Sequence, residues 1–280
     1  MLNNKYILIT GGSGSLGHAL VERICSEYKL AKVIIFSRDE YKQSLMQKQY
    51  DYECLRYFIG DVRDLQRLKQ VCRNIDVVIH AAALKQIPTL EYNPTEAVRT
   101  NVDGTRNVIE ACTENSVQKA VLISTDKAVN PINLYGATKL CAEKMFLAAN
   151  NFNKTQFSVV RYGNVLNSRG SVVEKFLKLK EQGIREFPIT DMRMTRFWIT
   201  LADAADLVLD AINGNGEMLI PKLPSMRISE VARAIEPDCA FKEIGIRPGE
   251  KLHEALDEGY TSDKNDLWLS VEALRRKIGI

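Results

Sequence analysis

A strand, a glycine loop and a helix follow one another at the start of the chain: Tyr6-Ile-Leu-Ile-Thr10, then Gly11-Gly-Ser-Gly14-Ser-Leu-Gly17, then an amphipathic run to about Tyr28. Few folds use that order. Glycines at this spacing let the backbone turn tightly and approach a pyrophosphate seated on the helix N-terminus, and the last one permits close helix–strand contact. A glycine motif alone says little, but this one sits between the elements it requires. Apolar runs recur at Lys32–Phe36, Arg56–Ile59 and Asp76–His80 with helical stretches between them. Pro94 then opens a helix over about 95–115, followed by a strand at 120–124, a helix over about 133–150 and a strand at 156–161. This alternation predicts an α/β fold with a Rossmann-type, doubly wound parallel sheet.

Past Tyr162 the alternation becomes irregular. A loop carrying Asn164, Ser168, Arg169 and Gly170 leads to a helix near 171–182 and a turn at Pro188-Ile-Thr-Asp191, over the carboxyl edge of the sheet. A helix at 202–212 and a strand at Glu217–Pro221 read as a return to the sheet, and short elements follow from Ser225. The expected division is a cofactor domain of 1–165 plus about 198–222, and a small discontinuous substrate lobe of about 166–197 plus 223–280. The 280 residues carry a net charge of +3 with both signs interspersed, which gives neither a nucleic-acid stripe nor a polybasic membrane block. Six cysteines, at 25, 54, 72, 112, 141 and 239, lack C-x-x-C spacing and read as buried free thiols without a metal site. No apolar stretch approaches the roughly eighteen residues of a membrane span, and the chain runs straight into its first strand. A cytoplasmic protein is expected.

The chemistry concentrates in two short segments. Tyr135 and Lys139 stand at i, i+4 on a helix, so an ammonium lies near a phenol and can lower its pKa. Ten residues earlier, the strand ending at Ser124 presents Thr125, Asp126 and Lys127 where parallel sheets bind ligands. Read alone, Asp126-Lys127 is equally an ion pair at a strand end. After the second strand stand Ser37-Arg38, where an NAD-specific fold places an acid, and a guanidinium with a hydroxyl suits the 2′-phosphate of NADP. Arg38 facing adenine or water is the alternative. Asp61 is placed for the adenine amino group, while Asp64 equally suits a helix N-cap. Ala81-Ala82-Ala83 is small enough for close cofactor approach, Asn101 lies in the helix beside the Tyr/Lys segment, and Trp198 reads as core.

These segments resemble the extended short-chain dehydrogenase/reductases, and among them the soluble inverting UDP-N-acetylglucosamine 4,6-dehydratases. The resemblance runs through Thr10–Gly17, Ser37–Glu40, Gly60–Asp64, His80–Lys85, Ser124–Ala128, Asn133–Lys139, Arg161–Asn164, Ser168–Ser171, Met194–Thr200 and Gly245–Glu254. Asp126 is followed by Lys127, as in the inverting family, and Tyr135 stands where membrane-anchored retaining relatives typically have Met. The resemblance implies NADP held by Gly11, Ser13, Gly14, Ser15, Leu16, Gly17, Ser37, Arg38, Asp39 and Lys42. Asp61, Val62, Ala81, Ala82, Asn101, Tyr135 and Lys139 complete that set. It implies UDP-N-acetylglucosamine as substrate, contacted by Lys85, Asn164, Val165, Arg169, Thr190, Arg247 and Glu250. In the implied mechanism Tyr135, aided by Lys139 and Thr125, takes the C4 hydroxyl proton as hydride leaves C4. Lys127, its pKa lowered by Lys139 or burial, removes the C5 proton, Asp126 protonates the departing C6 hydroxyl, and hydride returns to C6. Taken singly, Arg169, Arg196 and Arg247 are equally ion-pair residues.

Family members usually continue several tens of residues beyond the His-Glu of this last motif, whereas the chain has 26 after Glu254. The difference bears on the cover over the sugar and on assembly. The resemblance implies a homo-oligomer, dimer or hexamer, through the helices at 95–115 and 133–150, for which Val108, Ala111, Leu140, Met145 and Leu147 are candidates unless they face the sheet. Two other readings share the fold: a UDP-sugar 4-epimerase, which needs Tyr135 and Lys139 but not Asp126-Lys127, and a silent NADP sensor, which needs none of them.

Overall fold

The computed structural model describes residues 2–152 and 154–280. Its first half alternates β1 (Tyr6–Thr10), α1 (Ser15–Glu27), β2 (Lys32–Ser37), α2 (Glu40–Gln49), β3 (Leu55–Ile59), α3 (Leu65–Val71) and β4 (Val77–His80). Short helices α4 (Ile87–Tyr92) and α5 (Pro94–Val98) lead through a π-helical turn, Arg99–Asp103, into α6 (Gly104–Glu114). The helix expected over 95–115 is therefore continuous but widened in its middle, a local irregularity that periodicity does not register. Then come β5 (Lys119–Thr125), a 3₁₀ turn (Asp126–Ala128), α7 (Leu134–Ala148) and β6 (Gln156–Tyr162).

The strands assemble in the order β6-β5-β4-β1-β2-β3, all parallel, and the chain later returns to extend the β6 edge. Strands β1, β2, β4, β5 and β6 are largely buried and mostly apolar, as a covered parallel sheet requires, whereas the edge strand β3 is partly exposed. Ile7 and Ile9 point into one core with α1, and Leu8 points into the other with α3, α6 and α7. The order reverses between β1 and β4, which places a crevice outside their carboxyl ends. His80 there bridges Thr10 (2.7 Å) and Thr105 (3.1 Å), and burial pushes its imidazole down to about 3, so it is a neutral tie between β1, β4 and α6.

The later elements are β7 (Asn164–Val165), α8 (Val172–Glu181), β8 (Glu186–Ile189), β9 (Thr195–Ile199), α9 (Leu201–Asn213) and β10 (Met218–Leu219). The remainder is β11 (Ser225–Arg227), α10 (Ile228–Ile235), β12 (Ala240–Glu243), β13 (Ala255–Asp257), β14 (Tyr260–Thr261) and α11 (Val271–Ile278). Pro188 is not in a turn: it lies in β8, which among the described residues pairs with β12 alone, and a proline without an N–H is tolerated in so narrow a sheet. The expected strand at 217–221 shrinks to Met218–Leu219, paired in parallel with β6. A third core gathers Phe176, stacked on Phe187 at 5.1 Å, with Trp198 and the apolar face of α10.

Val108 and Ala111 face the sheet, while Leu140, Met145 and Leu147 are half-buried. All six cysteines are free, but only Cys72 and Cys112 are buried, and Cys141 is exposed on the outer face of α7. Among the described residues there is no metal-binding cluster, and no helix is long and apolar enough to cross a membrane.

Candidate active site

A cleft of about 850 Å³ opens at the carboxyl ends of β1, β4, β5 and β6. One wall is the glycine loop, with Gly11, Ser13, Gly14, Ser15, Leu16 and Gly17 all on it. A Cβ on Gly17 would stand 1.9 Å from the Gly12 oxygen, so only glycine lets α1 start this close to the loop. Ser37, Arg38, Asp39 and Lys42 line the far end. The Ser37 hydroxyl is engaged with Ser13 Oγ and Gln43 Nε2, each at 2.9 Å. Asp39 caps α2 by accepting the Lys42 N–H and pairs with Lys42 Nζ at 2.7 Å, which accounts for the carboxylate nearest the β2 end. Arg38 is half exposed and 3.6 Å from Asp61, which is itself held by the Arg63 guanidinium. Asp64 caps α3. Val62, Ala81 and Ala82 line the cleft, but Asn101 does not: it is buried in the π turn, bonding Leu84 N and O and Thr138 Oγ1. Asn101 thus fastens the loop after β4 to α7.

Thr125, Lys127, Tyr135 and Lys139 line the same cleft, and Asp126 lies just behind its wall. The 3₁₀ turn carrying Asp126 and Lys127 is pressed against the first turn of α7, where a Cβ on Gly136 would stand 2.1 Å from the Lys127 oxygen. Asn133 caps α7 and also donates to Gly249 O, tying this helix start to the distant motif. Lys127 Nζ donates to Asp126 Oδ1 (2.9 Å) and Asn164 Oδ1 (3.2 Å); Thr125 Oγ1 donates to Asp126 Oδ1 (3.0 Å). Asp126 Oδ2 is fully buried with no hydrogen-bond partner.

The charges depart from the expectation. Burial alone would pull the Lys127 ammonium down, but Asp126 and Glu254 outweigh it and hold Lys127 above the ordinary lysine value. Lys127 is therefore not a depressed lysine. Asp126 is raised, by burial first and by Glu254, against the pull of Lys127 and Arg196. Tyr135 is raised by burial, and the cation that opposes this is Lys127. Lys139 is instead the depressed lysine, brought to about 8 by burial despite Glu143.

Of the residues expected around the substrate, Lys85, Asn164, Val165 and Arg169 line the cleft. Lys85 Nζ donates to Arg169 O and Arg169 N to Ser15 Oγ, so the loop after β7 bridges the cleft to the glycine loop. Thr190, Arg247 and Glu250 lie off its wall; Thr190 is buried after β8, and Arg247 is exposed and paired with Glu250.

Two features escaped sequence reasoning. Glu143, one turn beyond Lys139, is fully buried, accepting from Ser124 Oγ (2.5 Å) and from Arg161 Nε and Nη2 (3.0 and 2.7 Å), while Arg161 Nη1 reaches Leu256 O. Glu254 is buried beside Lys127 (3.6 Å), Arg196 (3.9 Å) and Lys251 (3.5 Å). The sole advance signal for Glu143 was a charge on the Tyr/Lys helix at i+4 from Lys139; for Glu254 it was a place in the Gly245–Glu254 motif.

A covered parallel sheet with a glycine loop at its switch point and a Tyr/Lys pair in the crevice defines the extended short-chain dehydrogenase/reductase fold. The profile of the family described as polysaccharide biosynthesis protein matches residues 7–268, and the chain belongs to that family. Over 262 residues it is 55% identical to the UDP-N-acetylglucosamine 4,6-dehydratase (inverting) of Campylobacter jejuni subsp. jejuni serotype O:23/36 (strain 81-176), covering 91% of this chain and 78% of the relative. It is 41% identical over 268 residues to the UDP-glucose 4-epimerase of Rickettsia canadensis (strain McKiel), covering 91% and 78%. Pen from Bacillus thuringiensis, solved by X-ray, superposes with a TM-score of 0.92 at 34% identity over 99% of this chain and 97% of that one. The resemblance carried by the motifs therefore holds at the level of the whole chain.

Proposed function

We propose that this protein is an NADP-dependent dehydratase that removes water across C5 and C6 of UDP-N-acetylglucosamine after oxidation at C4, and inverts C5. The observation that carries the reading is the Asp126–Lys127 pair, with Lys127 on the cleft wall near Tyr135 and Asp126 just behind it, since a 4-epimerase needs Tyr135 and Lys139 but not that pair. The crevice fits a dinucleotide: Gly11, Gly14 and Gly17 leave backbone open along the wall where a pyrophosphate would be held, and Arg38 and Lys42 would hold an adenosine phosphate at the far end. Bound there, the cofactor supplies hydride acceptance from C4 and return to C6. Lys85, Asn164 and Val165 from the cofactor domain and Arg169 from the lobe contact the sugar nucleotide.

The chain's own residues manage the protons. Tyr135 accepts the C4 hydroxyl proton as a phenolate, whose formation Lys127 and the Thr125 hydroxyl favour against burial. The 2.9 Å bond between Lys127 and Asp126 then lets one proton move from nitrogen to oxygen. An ion pair thereby becomes an amine, the base for C5, and a carboxylic acid, the donor to the leaving C6 hydroxyl. Buried Asp126 favours that exchange, because its charged form is the poorly solvated one. Hydride return to C6 leaves an enolate that takes a solvent-derived proton at C5 from the face opposite Lys127, which gives the L-arabino 4-keto-6-deoxy sugar.

Proton NMR of the protein with catalytic NADP⁺ and UDP-N-acetylglucosamine in D₂O tests this. The expected result is a new C6 methyl with deuterium at C5 and L-arabino couplings, absent with Lys127→Ala. A changed H4 coupling with C6 intact would establish the epimerase, the second reading supported by the 41% relative. Cofactor choice has its own test. Arg38→Ala is expected to weaken NADP⁺ binding by about tenfold or more, the worth of one charge-assisted bond to phosphate, and to leave NAD⁺ binding unchanged. Equal losses for both would remove Arg38 from 2′-phosphate recognition.

A further inference from the structure

We propose that Glu254 is a positioning residue for the proton-transfer pair, a second carboxylate that holds Lys127 Nζ in place alongside Asp126. The inference rests on the dehydratase reading. Glu254 arrives from a segment 128 positions later than Asp126 (254 − 126), yet its Oε1 lies 3.6 Å from Lys127 Nζ and 3.9 Å from Arg196 Nε. Its Oε2 lies 3.5 Å from Lys251 Nζ. The carboxylate is 3% exposed and its Oε2 has no hydrogen-bond partner, so the three surrounding cations are what offset the cost of burying its charge. Its backbone is fixed as well: Glu254 N donates to Ser262 Oγ and Ser262 N donates to Glu254 O. Strand β13, which begins at the next residue, packs on the 3₁₀ turn that carries Asp126 and Lys127.

The arrangement divides labour between two acids. Although burial disfavours its charge, Lys127, Arg196 and Lys251 together hold Glu254 below the usual carboxylate range, so Glu254 stays ionised while Asp126 is the carboxyl poised to take a proton. The groups facing Lys127 and Asp126 are Tyr135 from α7, Arg196 from β9, Glu254 from the segment before β13, and Lys85 across the cleft. Glu254 is the one group among these that stays anionic. Its removal therefore favours the deprotonated form of both Asp126 and Lys127, whichever of them holds the shared proton.

The test is the pH dependence of kcat for C6-methyl product formation. Glu254→Gln is expected to move both limbs to lower pH, by on the order of one unit, with kcat lowered about tenfold and KM within about threefold. Glu254→Asp, which keeps the charge, is expected to leave the limbs in place. Should Glu254→Gln not fold, Lys251→Met decides: losing a cation beside Glu254 is expected to move both limbs to higher pH. Limbs that stay in place in folded Glu254→Gln or Lys251→Met, or a loss carried by KM alone, overturn the proposal. A wild-type protein that makes no C6-methyl product overturns the dehydratase reading instead.

Discussion

Lys139→Met is expected to give a more stable protein that no longer turns over. Lys139 is 3% exposed, and burial brings its pKa from 10.5 to about 8. Below pH 8 the folded and unfolded chains both carry the proton, so folding must bury a charge, and the full penalty of about 3 kcal/mol applies. Between about 8 and 10.5 the unfolded chain holds more protons than the folded one, so wild-type stability rises with pH. Above about 10.5 both are neutral and the penalty is gone. Methionine fills similar space and never carries the charge. Its advantage in urea unfolding at pH 7 should therefore approach the full difference, shrink above pH 8 and vanish near 10.5. Dehydration should be lost at every pH. A variant no more stable than wild type at pH 7 would show that Lys139 is solvated better than its surroundings indicate.

The second large effect lies one turn along the same helix. Glu143→Ala is expected to cost about 3–5 kcal/mol, because it leaves the Arg161 guanidinium buried without its counter-ion. Arg161 is 7% exposed, and its one other bond is to Leu256 O. Replacing both residues by methionine should restore much of that stability, since a well-packed apolar pair replaces a buried ion pair at little cost. Chemical denaturation of the two variants measures this directly. If the double variant is as unstable as the single one, Glu143 acts through Ser124 rather than through Arg161.

The sheet was legible because its signals are local. Gly11–Gly17 between a strand and a helix, and apolar runs at a regular interval, mark the alternating strands and helices of a doubly wound sheet. The cap at Asp64 was legible for the same reason. Pro188 misled, since proline marks turns in most contexts and its tolerance in β8 depends on how few partners that strand has. The cleft residues on short loops after strands were also readable, as the cluster at Thr125, Lys127, Tyr135 and Lys139 shows. Their proton affinities were not. Lys127 is held up by Asp126 and Glu254 against its burial, whereas Lys139 is pushed down by burial despite Glu143. Glu254 comes from 127 positions away (254 − 127) and burial is a property of the packed fold, so nothing in the spacing of the charges announces either.

The ties from the last motif to the catalytic turn, Asn133 to Gly249, Lys251 to Val129, Arg161 to Leu256 and Glu254 beside Lys127, impose an order of assembly during synthesis. The crevice walls from β1 to β6 leave the ribosome roughly a hundred residues before the segment that completes the acid–base cluster. A nascent chain in that interval has the parts of a dinucleotide site without a finished proton relay. On the dehydratase reading, the part of the site that serves oxidation and the part that serves water loss are thus joined only when residues 249–256 pack against the turn and its neighbours.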